Sequence, residues 1–236
     1  MIILGIDTSA NTASAAVAED GRLISLFSVN LRLEHSRRIL PMIDSVLRAA
    51  EKTPEDVGLF CVSRGPGSFT GIRIGVSTVK GLAFAKNVPC CGVSTLEALA
   101  YNCAGLPDGS IVCPVMDARR SEFYNALFTM ENGSPVRCAP DRALPYGDLF
   151  TELKEKYGSR RITVCGDGAV KFMTMLSGSG GSLPAVKACE NDLYQSGASV
   201  ARLGFDMYKR GESVSPEALM PEYLRMSQAE RVSGGK

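Results

Sequence analysis

Short apolar runs closed by turn residues dominate the opening of the chain. Ile2 to Asp7 is one such run and Ala13 to Glu19 a second; after Asp20-Gly21, a hairpin-forming pair, Arg22 to Val29 is a third. Runs of roughly four to eight residues bounded in this way read as strands, and these three predict an antiparallel meander. The period then changes. Ile39, Met42, Ile43, Val46, Leu47 and Ala50 recur at helical spacing and would share one apolar face. Pro41 inside this stretch should kink the helix or mark its effective start. Val57 to Ser63 follows as a buried strand, Ile72 to Lys86 as a second helix entered through a glycine-rich loop from Gly65 to Gly71, and Val88 to Val93 as a further strand. Ser94 and Glu97 have the spacing of a capping box and open a third helix, Leu96 to Cys103. The predicted order β-β-β-α-β-α-β-α ends in a turn-rich linker at Leu106-Pro107-Asp108-Gly109.

Beyond that linker the pattern starts again. Ile111 to Asp117 is an apolar run ending in Asp, as Ile2 to Asp7 is, and Glu122 to Met130 is followed by the hairpin signal Asn132-Gly133. The matching order predicts a duplicated domain. A helix from Tyr146 to Tyr157, the strand Ile162 to Cys165, the turn Gly166-Asp167-Gly168 leading into a helix, and a helix from Ser196 to Arg210 complete it. Ser177 to Ser182 is Gly and Ser throughout and should be a mobile loop, and the closing SGGK should be disordered. The predicted domains are 1–106 and a smaller, reduced 107–236, with helix 196–210 packing back on the first.

Composition narrows the function. The 236 residues are 45% apolar and 22% charged, with net charge +1, so no bulk electrostatic attraction draws the chain to nucleic acid or anionic membrane. No apolar run approaches the roughly 18–20 residues that cross a bilayer, and a strand-like N-terminus without a basic segment leads us to expect a cytoplasmic protein. Eight cysteines sit largely inside apolar runs without a Cys-x-x-Cys pair, which fits reduced, buried thiols. Short basic patches at Arg37-Arg38, Arg119-Arg120 and Arg160-Arg161 read as solvated surface.

The candidate chemistry is sparse. His35 is the single histidine, so a two-histidine metal site cannot form within the chain, and its neighbour Ser36 would not face it on a helix. A glycine-rich loop before a helix can hold a phosphate, yet no Gly-Lys-Ser/Thr closes this one. Asp7, Thr8 and Ser9 end the first strand with a carboxylate and two hydroxyls that could face a nucleotide, or could simply cap the turn. Gly71, Gly75 and Thr78 form a small-residue stripe along the second helix; such a stripe lets another backbone approach closely, either that of the chain's own sheet or that of a second protein.

Taken together, ILGIDTS at the start, GPGSFTGIRIGVSTVKGLA from Gly65 to Ala83, DARRSEFY from Asp117 to Tyr124 and PEYLR from Pro221 to Arg225 resemble the TsaB (YeaZ) family over nearly the whole chain. The resemblance implies an α/β fold of two actin-like (RNase H-like) domains, each a duplicated β-β-β-α-β-α unit. It implies a non-catalytic subunit in the synthesis of threonylcarbamoyladenosine in tRNA, a scaffold for the catalytic paralogue TsaD alongside the ATPase TsaE. The paralogue carries a His-x-x-x-His metal motif; here the corresponding positions are His35 and Ile39, so the resemblance assigns this chain no catalytic residue and no metal ligand. It places the partner interface on the first two helices, for which Ile39, Ile43, Val46, Gly71, Gly75 and Thr78 are the candidates. It also implies no tightly bound cofactor, with ATP or ADP allowed at the partner interface, a homodimer in isolation, and contact with tRNA only through the complex. A nucleotide-dependent kinase or ATPase of the actin-like class, suggested by Asp7, Thr8 and Gly166-Asp167-Gly168, and a metallopeptidase are the competing readings.

Overall fold

Residues 1–31 and 34–225 are described by the computed structural model. Strand β1 (Ile2–Asp7) is central, antiparallel with β2 (Thr12–Glu19) and parallel with β4 (Val57–Gly65), and it is buried at every position because helices cover both faces of the sheet. A strand covered on both faces needs a continuous apolar run, which is why its sequence does not alternate. The β2 strand hands over to β3 (Arg22–Asn30) through Asp20 and Gly21, both in the left-handed region at φ 49° and 83°. That geometry suits the twist of a tight hairpin and explains the Asp-Gly pair. With β5 (Cys90–Ser94) the first sheet has the order β3-β2-β1-β4-β5.

The second sheet repeats this order. Strands β6 (Ile111–Asp117), β7 (Glu122–Glu131), β8 (Ser134–Pro145), β9 (Ile162–Cys165) and β10 (Ala185–Lys187) are arranged β10-β9-β6-β7-β8, the same topology strand for strand. The reduction of the second half is one of length, with four residues in β9 and three in β10 against nine and five in β4 and β5. The duplicated actin-like α/β architecture is thus present in full.

The helices are α1 (His35–Ala49), α2 (Phe69–Phe84), α3 (Thr95–Asn102), α4 (Tyr146–Tyr157), α5 (Ala169–Gly178), the short α6 (Glu190–Leu193) and α7 (Gly197–Lys209). On one face of the first sheet, Ile39, Met42, Ile43 and Val46 of α1 and Ile72, Val76 and Val79 of α2 share a core with Leu4, Ile6 and Val62. The other face is covered by α7, whose Val200 and Ala201 pack with Ile3, Leu59, Cys61 and Val93. This helix lies so close to β1 that a Cβ on Gly5 would stand 2.6 Å from the Ala201 nitrogen.

Three local expectations are corrected. Helix α1 starts at His35, so Pro41 is inside it and not its start; it lies on the exposed side, where the missing N–H removes a bond on the solvent face. The capping box at Ser94 is half made: Ser94 Oγ accepts from the Glu97 N–H, but the Glu97 carboxylate takes Arg137 at 2.8 Å instead of turning back. Ser177 and Gly178 belong to the last turn of α5 and not to a loop. The SGGK tail lies outside the described residues.

Candidate functional site

A cleft of about 1280 Å³ runs between the two halves, bordered by His35, Ser68, Asp117, Arg120, Asp167 and Tyr223 among others. The ends of the equivalent strands β1 and β6 bring Asp7 and Asp117 towards it, and the turn before α5 adds Asp167. These carboxylates have different surroundings. Asp7 is fully buried and accepts hydrogen bonds from the Ser9 amide at 2.8 Å, the Ser9 hydroxyl at 2.7 Å and the Ser63 hydroxyl. Burial pushes its pKa up, and the Ser63 and Ser9 bonds oppose that rise. Thr8 Oγ1 donates to the Gly71 carbonyl at 2.7 Å. The Asp7-Thr8-Ser9 turn is fully buried, and its side chains tie β1 to β4 and α2. Of the three residues predicted to face a nucleotide, Ser9 borders the cleft while Asp7 and Thr8 are not among its lining residues; the carboxylates that line it are Glu34, Asp117, Asp167 and Glu222.

Asp117 is exposed and holds Lys171 at 2.6 Å. Asp167 is raised to about 6, chiefly by burial and further by the negative charges of Asp117 and Asp7, against a hydrogen bond from the Gln195 amide. The β6–β7 loop holds Arg119, Arg120 and Ser121 in the left-handed region at φ 65°, 52° and 60°, and both arginines are exposed at the cleft edge. His35 Nε2 lies 2.6 Å from the Ala10 carbonyl oxygen, so the ring donates to backbone and is not set beside a nucleophile. Among the described residues no three His, Cys, Asp or Glu side chains gather as a metal site.

The helices expected to meet a partner are also resolved residue by residue. Ile39, Ile43 and Val46 are buried in the chain's own core at 1%, 4% and 2% exposure. A Cβ on Gly75 would stand 2.5 Å from Thr8 Oγ1, and one on Gly71 would collide with the Thr8 carbonyl. As candidates for a surface open to a second chain these five are corrected, because burial commits them to packing within the molecule. Thr78 is half-exposed and continues an outward stripe with Ile74, Gly81 and Leu82, next to which a Cβ at Gly81 would meet nothing within 4 Å. Leu40 on α1 and Phe84 at the end of α2 are 53% and 64% exposed. Gly81 could have been found from the sequence by continuing the helical phase from Ile74 through Thr78. Asp117 could have been found as the repeat of Asp7.

A family model described as "TsaD: tRNA N6-adenosine threonylcarbamoyltransferase" matches residues 31–162. The tRNA threonylcarbamoyladenosine biosynthesis protein TsaB of Bacillus subtilis (strain 168) is 33% identical over 98% of this chain and 96% of its own length. That of Escherichia coli (strain K12) is 30% identical over 100% of both. Among solved structures, YeaZ from Pseudomonas aeruginosa matches with a TM-score of 0.80 at 26% identity, covering 94% of this chain and 99% of that one. Component A of the (R)-2-hydroxyglutaryl-CoA dehydratase of Acidaminococcus fermentans, with a TM-score of 0.51 at 11% identity over 89% of this chain and 99% of that one, shares the fold alone. With end-to-end similarity to two TsaB proteins and more than half its length inside the TsaD family match, the chain belongs to the TsaB family.

Proposed function

We propose that this chain is the TsaB-type subunit in the synthesis of threonylcarbamoyladenosine in tRNA, and that it acts by docking onto a TsaD-like catalytic partner. The observation that carries the reading is the end-to-end match to the TsaB proteins of two bacteria. The local chemistry supports it: at position 39, four residues after His35, stands an isoleucine sealed in the core. The docking surface of this reading is the outward flank of α1 and α2, with Leu40, Ile74, Thr78, Gly81 and Leu82. Small residues on such a flank let a partner helix approach closely, and the flanking apolar side chains supply area to bury. A TsaE-like ATPase joins the same assembly, ATP or ADP is held where the partners meet and not tightly by this chain alone, tRNA is reached through the complex, and the free chain pairs with itself through the same flank. The compartment in this reading is the cytoplasm; among the described residues no helix is long and apolar enough to cross a membrane.

Reconstituting tRNA modification with and without the chain tests the role, and modification at full rate without it would remove the proposal. Gly81→Arg tests the flank: the variant should melt as the parent does and bind the TsaD-like protein roughly tenfold or more weakly by calorimetry. Unchanged affinity would move the docking surface elsewhere.

A further inference from the structure

The PEYLR segment takes no part in the docking flank, yet it touches both halves of the molecule. After α7 the chain returns along the first lobe, where Cys90 and Val214 exchange backbone hydrogen bonds of 2.8 Å each and Leu219 is buried. Lys80 Nζ donates to the carbonyls of Glu217 and Leu219 at 3.0 and 3.2 Å. Glu222 then meets the end of β4. Its N–H donates to the Arg64 carbonyl at 2.7 Å, and its carboxylate meets the Arg64 guanidinium at 3.0 Å. Gly65 has to be glycine here, since its φ is +136° and a Cβ would strike the Glu222 carbonyl. The Tyr223 ring packs 4.6 Å from that of Phe69, and its hydroxyl accepts from Arg73 Nε at 2.9 Å. Two residues later the chain has crossed to the second lobe. Arg225 Nη1 donates to the Ala118 carbonyl at 3.0 Å, and its guanidinium pairs with Glu122; the two side chains are only 21% and 27% exposed. Glu222 to Arg225 line the cleft between these attachments.

We infer that Pro221–Arg225 is an interlobe clasp, anchored to β4 and α2 by Glu222 and Tyr223 and pinned to the β6–β7 loop by Arg225, which sets the aperture of the cleft. The lobes are also linked by the chain connections and by the packed helices α3 and α7, which cannot yield without uncovering apolar core. The pin is different in kind: it is polar, near the surface and held by one side chain, so it releases without unpacking either lobe. Opening of the cleft at this edge is then governed by the polar contacts of Arg225, the Glu122 ion pair and the charge-assisted hydrogen bond to the Ala118 carbonyl among them.

Spin labels on Ser77 of α2 and Val170 of α5, both exposed positions, report the separation of the lobes in the full chain once the exposed Cys138 and Cys189 are replaced by serine. The parent should give one narrow distance distribution. Arg225→Ala and Glu122→Gln should each raise the population of longer distances roughly 5- to 30-fold, the factor that goes with losing one modest interaction. The double variant should add nothing beyond Arg225→Ala, which already removes the Glu122 pair together with the Ala118 bond. Melting curves on the same samples show whether each variant is folded, and Glu122→Gln keeps the shape of the side chain should Arg225→Ala fold poorly. A distribution that stays narrow and centred in both folded single variants would overturn the clasp.

Discussion

Gly75 and Gly81 stand on the same helix and differ in what surrounds them. At Gly75 a methyl group would meet Thr8 Oγ1 at 2.5 Å and Val62 at 3.1 Å, so either α2 or the β1 turn must shift. Gly75→Ala should therefore destabilise by about 1–3 kcal/mol, the usual cost of overpacking, despite alanine's better helix propensity. At Gly81 the space is open, and Gly81→Ala should stabilise by about 0.5–1 kcal/mol through the backbone alone. Denaturant melts of the two variants should move in opposite directions; equal shifts would contradict the packing of Thr8 against α2. Asp167 makes a second residue-scale prediction. Folding lifts its pKa from 3.8 to about 6, so the folded protein keeps a proton that the unfolded chain releases within that interval. Stability contributed by the protonated form is lost as pH rises through the window, the reverse of a salt-bridged carboxylate. Asp167→Asn keeps the oxygen that accepts from Gln195 while removing the charge. It should stabilise the protein at pH 7 by on the order of 1–3 kcal/mol and flatten the fall between pH 4 and 6. Equal stabilities of the two proteins at pH 7 would mean that the charge is solvated and not buried.

At the scale of elements, what could be read from the sequence follows from burial. Strands β1, β4, β6 and β9 are covered on both faces over most of their length, so each is dominated by apolar residues and is legible as such. Strand β8 is not: Pro135, Pro140 and Pro145 interrupt it, and Arg137, Asp141 and Arg142 break its alternation. It can carry them because it is an edge strand, where a missing N–H costs no ladder bond, and its charged residues are used locally, Arg137 with Glu97 and Asp141, Arg142 with Glu152. Three residues of β10 are too few to give a period at all. The same limit governs the site. Periodicity identifies the apolar face of α1 and the small face of α2, but a face that packs on its own sheet and one that packs on another chain have the same spacing. Only the position of Thr8 under Gly71 and Gly75 decides between them, and that contact joins residues more than sixty positions apart.

At the scale of the molecule, the two halves of the sequence do not coincide with the two packed cores. Helix α3 belongs to the first half, but Leu96, Leu99 and Ala100 are buried with Val112, Phe123 and Phe172 of the second. Helix α7 belongs to the second half, but its Val200 and Ala201 complete the core formed by Ile3, Leu59 and Cys61 of the first. Each half thus supplies a helix to the other, and the seam is further tied by Ser199 Oγ donating to Asn102 at 2.6 Å and by the Gly197 N–H donating to Ser14 at 2.9 Å. A cut in the turn at Pro107–Gly109, where Pro107, Asp108 and Gly109 are exposed, separates the sequence repeats without breaking a strand. Residues 1–108 alone would leave one whole face of the first sheet without α7, and residues 109–236 alone would leave the second core without α3. Neither fragment buries enough apolar surface to offset the entropy of ordering its chain. Expressed singly, each should lack a cooperative thermal transition; expressed together, they should co-purify and melt as one unit, since the exchanged helices restore both cores. A cooperative transition in fragment 1–108 by itself would mean that α7 covers a sheet already stable without it, and the interdependence of the lobes would then rest on the clasp and the seam bonds instead of on the cores.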